Sequence, residues 1–365
     1  MKRLLCIIGN MNSGGAETFL MKIYRQLDRT KYQMDFCLST QEECFYNKEI
    51  CDLGGKIFYV PPKSNGVRDF NKKLGDLVKK ENYKYVLRIT SNAAGFVDLR
   101  IAKKAGAEIC SARSSNSSCG KGLLVKPIHL LSRAIYSRCV DVKFAPSTLA
   151  AEHTFGKRKV KQGKVTMLHN AVDLDIYRYY PKERVRIRYE LGLQDKIVVG
   201  HVGRFMAQKN HAFLIDIFCE IKKQKENAVL LLVGGNGDLE REVRQKIIDC
   251  GIEKNVVFTG IRSDIPQLMS AMDVFVMPSF FEGMPNTVIE AQATGLPCII
   301  SDTITKEANI TGLVQYLPLN NPEIWAEKAL EAVCSNRAET KQAFIDNKYD
   351  IESTVNQFVK LVFGE

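Results

Sequence analysis

The sequence lacks the patterns that mark several common protein classes. No apolar run is long enough to form an ordinary transmembrane helix. The cysteines are scattered, with no Cys-x-x-Cys pair and no grouping with His, so a zinc site is not expected. Neither the G-x-G-x-x-G spacing of a dinucleotide site nor the G-K-[ST] of a phosphate-binding loop is present, which argues against NAD enzymes and Walker-type ATPases.

The N-terminal run MKRLLCIIGN has a basic start and a short apolar stretch, but it lacks the other features of a signal peptide. Polar residues follow at once, and no cleavage site with small residues appears. The run therefore predicts a first β-strand. With no secretion signal, the scattered cysteines predict reduced and mostly buried thiols in a cytosolic protein.

Positive charge is concentrated in the first half of the 365 residues. Residues 1–180 carry 31 Lys and Arg against 16 Asp and Glu, whereas the remainder carries 21 against 25. A basic half predicts an anionic partner such as phospholipid, a lipid diphosphate or nucleic acid, and solubility explains it equally well. The length exceeds the usual size of one hydrophobic core, so we expect two domains.

Short β-branched runs alternate with amphipathic stretches along the chain. The first series is RLLCIIG, YQMDFCLS, KIFYVP, YKYVLRIT, EICSAR, VKFAPS and VTMLHN, and the second is KIVVGHVG, LLLVGG, VVFTG, VFVMPS, CIIS and VQYLP. This alternation predicts the α/β class, with two doubly wound, Rossmann-like parallel-sheet domains whose strand ends face each other across a cleft. We expect the domains at 1–175 and 176–345, joined through DLDIYRYYPK, and a C-terminal helix at 346–365 that returns to the first domain.

Charged side chains follow two strands of the second half. Arg204 ends one strand, and Lys209 lies where the next helix should begin. An Arg fork with a Lys point charge suits a diphosphate, although a solvated surface pair has the same appearance. Glu282 follows the strand VFVMPS, and Glu290 lies inside the helix after it. Carboxylates suit vicinal sugar hydroxyls, whereas each Glu alone is more typical of a helix cap or a surface position.

Glycines also follow several strands. Gly14 and Gly15 precede the first helix, where bare N–H groups and the helix dipole favour an anion, and a tight turn would explain them equally well. Gly235 lies in a glycine-rich turn between a strand and a helix. Arg262 lies in FTGIRSDI, a loop whose backbone could meet a base edge.

Together these residues resemble family 4 glycosyltransferases of the GT-B fold, in particular those that build bacterial capsular and exopolysaccharides. The resemblance rests on FEGMPNTVIE, GRFMAQKNH, GGAE and TGLPCII. It implies retaining, metal-independent transfer of a hexose or N-acetylhexosamine from a nucleotide sugar, a UDP-sugar being favoured, to a glycan or a lipid-diphosphate-linked acceptor. It implies no cofactor, no nucleic-acid partner, and a location in the cytoplasm, peripheral to the plasma membrane if an anionic surface is bound.

The resemblance also implies roles for individual residues. Arg204 and Lys209 would neutralise the diphosphate and the leaving group, Glu282 would contact the transferred sugar, and Glu290 would hold the ribose. Further donor contacts are implied at Gly14, Gly15, Gly235, Arg262, Gly283, Met284, Pro285, Asn286 and Thr287. Acceptor or other contacts are expected at Asn12, Glu17, Arg113 and Asn116.

One position departs from the family. Ser115 stands where members commonly have a His that contacts the donor sugar, and we keep it as the fourth predicted catalytic position. A hydroxyl can hydrogen-bond a sugar, but it cannot carry a charge or act as a base near neutral pH. His169-Asn170 similarly replaces the usual Pro-Asn before the linker.

The predicted helix Lys121–Arg138 alternates apolar and basic residues. It would either lie on an anionic membrane or pack on its own domain with a charged outer face. Two alternative functions stay open. One is a GT-B protein with altered catalysis that binds an anionic membrane or nucleic acid, and the other is a nucleotide-sugar 2-epimerase.

Overall fold

The computed structural model describes residues 1–12, 14–115, 125–235, 237–333 and 336–365, which form two compact units. Unit 1 comprises Met1–Ala171 with Ile351–Glu365, and unit 2 comprises Val172–Asp350. The expected boundaries at 175 and 345 differ by a few residues because Val172 and Asp350 form a parallel bridge with each other. The whole of the expected linker therefore belongs to unit 2.

Unit 1 is built on a parallel sheet with the strand order β3-β2-β1-β4-β5-β6-β7. Its strands are β1 Lys2–Ile8, β2 Tyr32–Leu38, β3 Ile57–Tyr59, β4 Tyr85–Thr90, β5 Ile109–Ser114, β6 Val142–Ala145 and β7 Thr166–Met167. Every residue of β2 is buried. Continuous burial is expected where helices cover both faces of a parallel sheet.

The helices of unit 1 pack their apolar positions on this sheet. They are α1 Gly15–Gln26, α2 Asn47–Asp52, α3 Val67–Lys80, α4 Phe96–Lys104, α5 Val125–Tyr136, α6 Thr148–Phe155 and α7 Lys157–Lys161. In α3, for example, Phe70, Leu74 and Val78 are buried at a spacing of four residues. The predicted helix Lys121–Arg138 overlaps α5, while its residues 121–124 lie outside the described residues.

Unit 2 repeats the plan with a six-stranded parallel sheet in the order β10-β9-β8-β11-β12-β13. Its strands are β8 Ile197–Val202, β9 Ala228–Val233, β10 Val256–Gly260, β11 Val274–Met277, β12 Cys298–Ser301 and β13 Val314–Leu317. Its helices are α8 Pro181–Glu190, α9 His211–Gln224, α10 Glu240–Asp249, α11 Ile265–Ala271, α12 Asn286–Ala293, α13 Pro322–Val333 and α14 Lys341–Asp346. Each sheet reverses its strand order beside its first strand, and ligands of such sheets bind outside the strand ends at that point.

The C-terminal helix α15, Ile351–Phe363, belongs to unit 1. Its Phe358 ring lies 6.3 Å from the Phe19 ring of α1, measured between centroids, and Phe363 lies 4.7 Å from Tyr32. The chain thus begins and ends in the same unit, which confirms that the C-terminal helix crosses back.

The two predicted parallel-sheet domains are confirmed, and each predicted strand run coincides with an observed strand. None of the helices in the described part of the chain combines the length and the apolar character needed to cross a membrane.

Candidate functional site

In unit 2, the loops after β8 and β11 bring Lys209 and Glu282 into an ion pair. Because β8 and β11 are neighbours in the sheet, their carboxyl ends adjoin although the two residues are far apart in sequence. The Lys209 Nζ and Glu282 Oε1 atoms are 2.7 Å apart, with 18% and 10% of the side chains exposed. The structure thus brings together two predicted catalytic residues.

Backbone contacts hold these two loops to each other. The Phe280 N–H donates to the Gln208 carbonyl at 2.9 Å, and the Gln208 amide Nε2 donates to the Phe281 carbonyl at 2.9 Å. Asn210 has a φ of 53°, which lets the 3₁₀ turn that ends at Lys209 lead directly into α9. The ion pair therefore belongs to a loop assembly that its own hydrogen bonds hold in place.

Arg204 lies in the same β8 loop, but its side chain is exposed. Among the described residues its guanidinium has no hydrogen bond or ion pair, and only its carbonyl accepts, from the Met206 N–H at 2.8 Å. The guanidinium is therefore an accessible cation in the same loop as Lys209, as an anionic ligand would require.

Glycines of the β9 loop allow its backbone to approach the β8 loop. A Cβ on Gly234, whose φ is +142°, would lie 2.1 Å from the Gly203 carbonyl oxygen. A Cβ on Gly237 would lie 2.1 Å from the Phe205 carbonyl oxygen. The predicted donor residue Gly235 lies between them, where a Cβ would meet Ile261 Cγ1 at 3.2 Å. Packing of one backbone against another thus accounts for Gly234 and Gly237, and the donor contact at Gly235 stays a prediction.

The segment from Glu282 to Glu290 spans the β11 loop and the first turns of α12. The predicted donor positions Gly283, Met284 and Pro285 lie before the helix, which begins at Asn286 with Thr287 as its second residue. Glu290 lies further inside α12 and is buried. The two carboxylates thus lie on consecutive parts of one loop and helix.

Arg262 is engaged within unit 2. Its Nε and Nη2 atoms each donate to the Asp264 carboxylate at 2.7 Å, and its Nη1 donates to Glu190 Oε1 at 3.1 Å. These carboxylates hold the pKa of Arg262 above its ordinary value. The loop backbone is therefore better placed than the guanidinium to contact a donor.

Two buried histidines lie beneath the β8 loop, and sequence reasoning missed both. The His201 and His211 rings are 4.9 Å apart, and His201 Nδ1 donates to the Val276 carbonyl at 2.9 Å. Burial, reinforced by the nearby Lys209 charge, lowers the pKa of His211 to about 4. Burial also lowers the pKa of His201 well below its ordinary value. Both imidazoles are thus neutral near pH 7 and add no charge beside Lys209.

In unit 1, a pocket of about 370 Å³ opens at the carboxyl ends of β1, β4 and β5. This is the switch point of the first sheet, where β1 lies beside β4. The pocket is lined by Ile8, Gly9, Ala16, Glu17, Lys63, Arg88, Ile89, Thr90, Ser91, Asn92, Ala94, Gly95 and Ser115. We call it the unit 1 pocket.

A buried carboxylate joins two cations of the unit 1 pocket. Asp98 of α4 is fully buried, and its oxygens lie 2.5 Å from Lys63 Nζ and 2.8 Å from Arg88 Nε. Arg88 Nη1 also donates to the Ile7 carbonyl at 3.0 Å. These residues come from a 3₁₀ turn, a strand and a helix, so no local sequence pattern identified them.

The predicted unit 1 residues divide between the pocket and its surroundings. Glu17 and Ser115 line the pocket, and the Ser115 N–H donates to the Thr90 carbonyl at 2.9 Å. Gly14 precedes α1 and Gly15 begins it. Asn116 lies outside the described residues.

Arg113 and Asn12 make contacts that stabilise the fold. The Arg113 guanidinium is buried 3.8 Å from the Phe19 ring centroid and donates to Asn170 Oδ1 at 2.5 Å. Burial lowers the pKa of Arg113 to about 9. Asn12 Oδ1 accepts from the Phe45 N–H at 3.1 Å. Neither residue is among those that line the unit 1 pocket.

Within the part of the chain that the structure describes, no group of three or more His, Cys, Asp or Glu side chains is placed to hold a metal ion.

The family model for glycosyl transferases group 1 matches residues 196–335. EpsF of Bacillus subtilis (strain 168), named as a glycosyltransferase, is 33% identical over 99% of this chain and 96% of its own length. An Escherichia coli UDP-Gal:alpha-D-GlcNAc-diphosphoundecaprenol alpha-1,3-galactosyltransferase is 27% identical over 68% of this chain and 66% of its own.

Solved structures match the whole chain. The crystal structure of Anabaena Alr3699/HepE in complex with UDP and glucose superposes with a TM-score of 0.80 over 100% of both chains, at 19% identity. At this identity the likeness establishes the fold, which is the two-domain GT-B fold that the sequence predicted.

Proposed function

Because this chain belongs to the group 1 glycosyltransferases, we propose that it transfers a hexose or N-acetylhexosamine from a UDP-sugar, with retention, to a lipid-diphosphate-linked acceptor. The product would be an intermediate of a cell-surface polysaccharide. The observation that carries the proposal is the Lys209–Glu282 pair in the loops after β8 and β11, with the exposed Arg204 in the same loop as Lys209.

Lys209 can hold Glu282 and a phosphate at the same time, since an ammonium has three N–H donors and the ion pair occupies one of them. Arg204 would supply a second, planar donor group to the diphosphate. Together they would stabilise the negative charge that grows on the leaving UDP, and no metal ion would then be needed for this purpose.

The choice of a UDP-sugar draws on two similar proteins. The Anabaena protein was crystallised with UDP and glucose, and the E. coli relative is named for transfer from UDP-Gal. We assign the ribose to Glu290 and the transferred sugar to Glu282, because the two carboxylates lie on consecutive parts of the β11 loop and α12. The amides of residues 283–286 would hold the sugar and the phosphate.

In the proposed step, the bond from the sugar C1 to the phosphate oxygen breaks while a bond from C1 to the acceptor oxygen forms on the same face. The acceptor hydroxyl passes its proton to the departing phosphate oxygen. The bond changes thus balance without a protein nucleophile, and the protein contributes positioning and charge stabilisation.

We assign the acceptor to the unit 1 pocket. The pocket combines the cations Lys63 and Arg88 with polar side chains such as Ser115, which suits a sugar next to a phosphate. The E. coli relative is named for an acceptor of this kind, an N-acetylhexosamine on a diphospholipid.

Helix α5 provides a surface that would hold this protein near a lipid acceptor. Its buried side chains His129 and Ser132 are polar, whereas Ile128, Leu131 and Ile135 are 49%, 62% and 52% exposed. The three apolar residues recur at i, i+3 and i+7, so they share one face of the helix. A helix that buries polar side chains and exposes an apolar face suits the interface of a bilayer.

Arg133 of α5 lies near a lysine of α7, Lys159, which has further cations around it. Burial and the neighbouring charges of Lys159, Lys103 and Lys164 lower the pKa of Lys143. Burial and the charges of Arg133 and Lys164 likewise lower the pKa of Lys159. Anionic headgroups would attract a group of cations such as Arg133, Lys159 and Lys164, and we therefore propose an anionic membrane as the partner of this face.

Product formation tests the proposed reaction directly. The wild type is incubated with UDP-, GDP- and ADP-sugars and a lipid-diphosphate-linked N-acetylhexosamine, with and without EDTA, and the product anomer is assigned by NMR. We expect an α-linked product from an α-linked UDP-sugar, insensitive to EDTA. Arg204→Ala should lose about 100-fold in rate, and Arg241→Ala, an exposed arginine of α10, should lose nothing. Conversion of the donor to its 2-epimer would instead favour the epimerase alternative.

Vesicle sedimentation tests the membrane face. The wild type should sediment with vesicles of anionic lipid and remain free with neutral ones. The double substitution Leu131→Gln and Ile135→Gln should weaken binding, whereas Val67→Gln, an equally exposed apolar residue of α3, should not. Equal binding to both vesicle types would contradict the proposed surface.

A further inference from the structure

One wall of the unit 1 pocket is the turn after β4. Ser91, Asn92, Ala94 and Gly95 line the pocket, and the 3₁₀ turn Ala93–Gly95 leads into α4. A Cβ on Gly95 would lie 2.5 Å from Thr90 Oγ1, so the turn lies directly against the end of the strand. The pocket therefore keeps its shape only while this turn stays in place.

The first N–H groups of a helix have no acceptor within the helix. In the turn after β4, the side chains of Asn92 and His129 each accept a hydrogen bond from one of these groups. The Ala94 N–H donates to Asn92 Oδ1 at 3.0 Å, which is an ordinary local cap. The Ala93 N–H donates to His129 Nδ1, also at 3.0 Å, and this acceptor comes from α5. Because Nδ1 accepts this bond, it carries no proton.

A second imidazole supports the first. The His153 ring of α6 stacks on the His129 ring, with centroids 4.8 Å apart and planes 9° apart. The backbone of His153 hydrogen-bonds the His129 ring, and the backbone of Ser91 hydrogen-bonds the His153 ring. Both rings thus connect α5 and α6 to the turn that forms the pocket wall.

We propose that His129 is a positioning residue, which holds the 91–95 turn in place as a wall of the acceptor pocket and releases it on protonation. The ligand of the pocket is an acceptor only if the proposed function holds, whereas the positioning of the turn does not depend on it. Protonation of Nδ1 would set an N–H against the Ala93 N–H, and the bond would be lost.

The charges around His129 favour its neutral form. Among the described residues, the titratable or charged groups that face it are His153 on α6 and Arg133 on α5. Arg133 Nη1 also donates to the His153 carbonyl at 3.3 Å. Burial and these groups lower the pKa of His129, and burial and Arg133 lower that of His153. His129 should therefore accept the bond at neutral pH and lose it only in acid.

Hydrogen exchange of the peptide that contains residues 91–96 tests the positioning without any activity. In His129→Leu this peptide should exchange about fivefold faster than in the wild type, since one hydrogen bond is lost. His129→Asn places an amide oxygen near the position of Nδ1 and should restore protection. Unchanged exchange in His129→Leu would overturn the proposal, whatever the activity.

Kinetics tests the consequence for the acceptor. In His129→Leu the KM for the acceptor should rise about fivefold, while kcat and the KM for the donor stay unchanged and His129→Asn recovers the wild-type value. The wild type should lose kcat/KM for the acceptor in acid, and His129→Asn should not share this loss. If the wild type transfers sugar and His129→Leu keeps the wild-type KM, the proposal is wrong.

Two further outcomes separate this proposal from the proposed function. If the wild type transfers no sugar from any donor, the proposed function fails, and hydrogen exchange alone decides the role of His129. If His129→Leu does not fold, the pH dependence of kcat/KM for the acceptor decides the role of His129. This value should fall in acid in the wild type and stay constant in His129→Asn. An identical pH profile in these two proteins would then overturn the proposal.

Discussion

The two switch points of this protein use opposite arrangements of charge. In unit 2 the cationic side chain of Arg204 is exposed, and the side chains of the Lys209–Glu282 ion pair are partly exposed. In unit 1 the carboxylate that joins Lys63 and Arg88 is fully buried in α4. The first arrangement leaves charge available to a ligand, whereas the second uses most of it to stabilise the pocket. The same sheet topology thus supports one site suited to chemistry and one suited to recognition.

The largest expected effect on turnover is the loss of Lys209. Lys209→Ala should lower kcat by about 10²- to 10³-fold, because a charge that stabilises the leaving diphosphate is removed. Steady-state transfer assays measure this, with Lys225→Ala, an exposed lysine that follows α9, as the control. A Lys209→Ala enzyme with full turnover would show that the unit 2 pair is structural, like its counterpart in unit 1.

The next effect is the loss of the buried carboxylate in unit 1. Asp98→Asn should destabilise unit 1 by about 3–5 kcal/mol, because two partly buried cations lose their counterion. The matched exposed residue Asp76 of α3, changed to Asn, should shift stability by less than about 0.5 kcal/mol.

The single tryptophan makes this test specific for one unit. Trp325 is fully buried in unit 2, so its fluorescence during urea unfolding reports that unit. In Asp98→Asn the circular dichroism signal should show an early transition while the tryptophan transition stays in place. A tryptophan transition that shifts by the same amount would indicate that the units unfold together.

A smaller effect is expected from acid in unit 2. His211 takes up a proton near pH 6.5 when unfolded but only near pH 4 when folded. Acidification from pH 6.5 toward pH 4 therefore favours the unfolded state, and the cost reaches about 2 kcal/mol by pH 5. In the wild type, the midpoint of the tryptophan fluorescence transition should move to a lower urea concentration as the pH falls from 7 to 5.

Replacement of His211 should reduce this shift. In His211→Leu the tryptophan transition should depend less on pH, and His201, whose pKa is lowered by burial, should account for the remainder. His169→Leu, in unit 1, should leave the wild-type dependence intact. If His211→Leu showed the full wild-type shift, the neutral state of His211 would not be what stabilises this loop.

The smallest effect is expected at Ser115. Because the side chain can offer one neutral hydrogen bond to a ligand of the unit 1 pocket, Ser115→Ala should reduce kcat/KM by about fivefold. Ser64→Ala, an exposed serine of the same unit, serves as the control in the same assay. A loss of 100-fold or more would mean that unit 1 takes part in the chemistry and would remove the contrast between the two sites.

Much of the fold followed from local patterns. Strands such as β9 are apolar throughout because both faces of the sheet are covered, and α3 shows its buried face at a spacing of four residues. The candidate donor residues could also be predicted from the sequence, because Arg204, Lys209 and Glu282 each lie in a loop that follows a strand. In such cases a few neighbouring residues carry the whole signal.

Other features required the folded chain. Neither the Lys63–Asp98–Arg88 cluster nor the bond from Ala93 to His129 has a local signature, because each joins separate elements. Arg262 was predicted as a donor contact from its loop alone, and two carboxylates occupy its guanidinium.

What the amino-acid order decided is the set of elements and the loops that carry charge, because burial on a strand or helix repeats with a period of a few residues. What the tertiary structure decided is which of those charges meet. Strand order places β8 beside β11 and β1 beside β4, so the contacts of Lys209 with Glu282 and of Arg88 with the Ile7 carbonyl depend on distant segments. No periodicity within either segment encodes that choice.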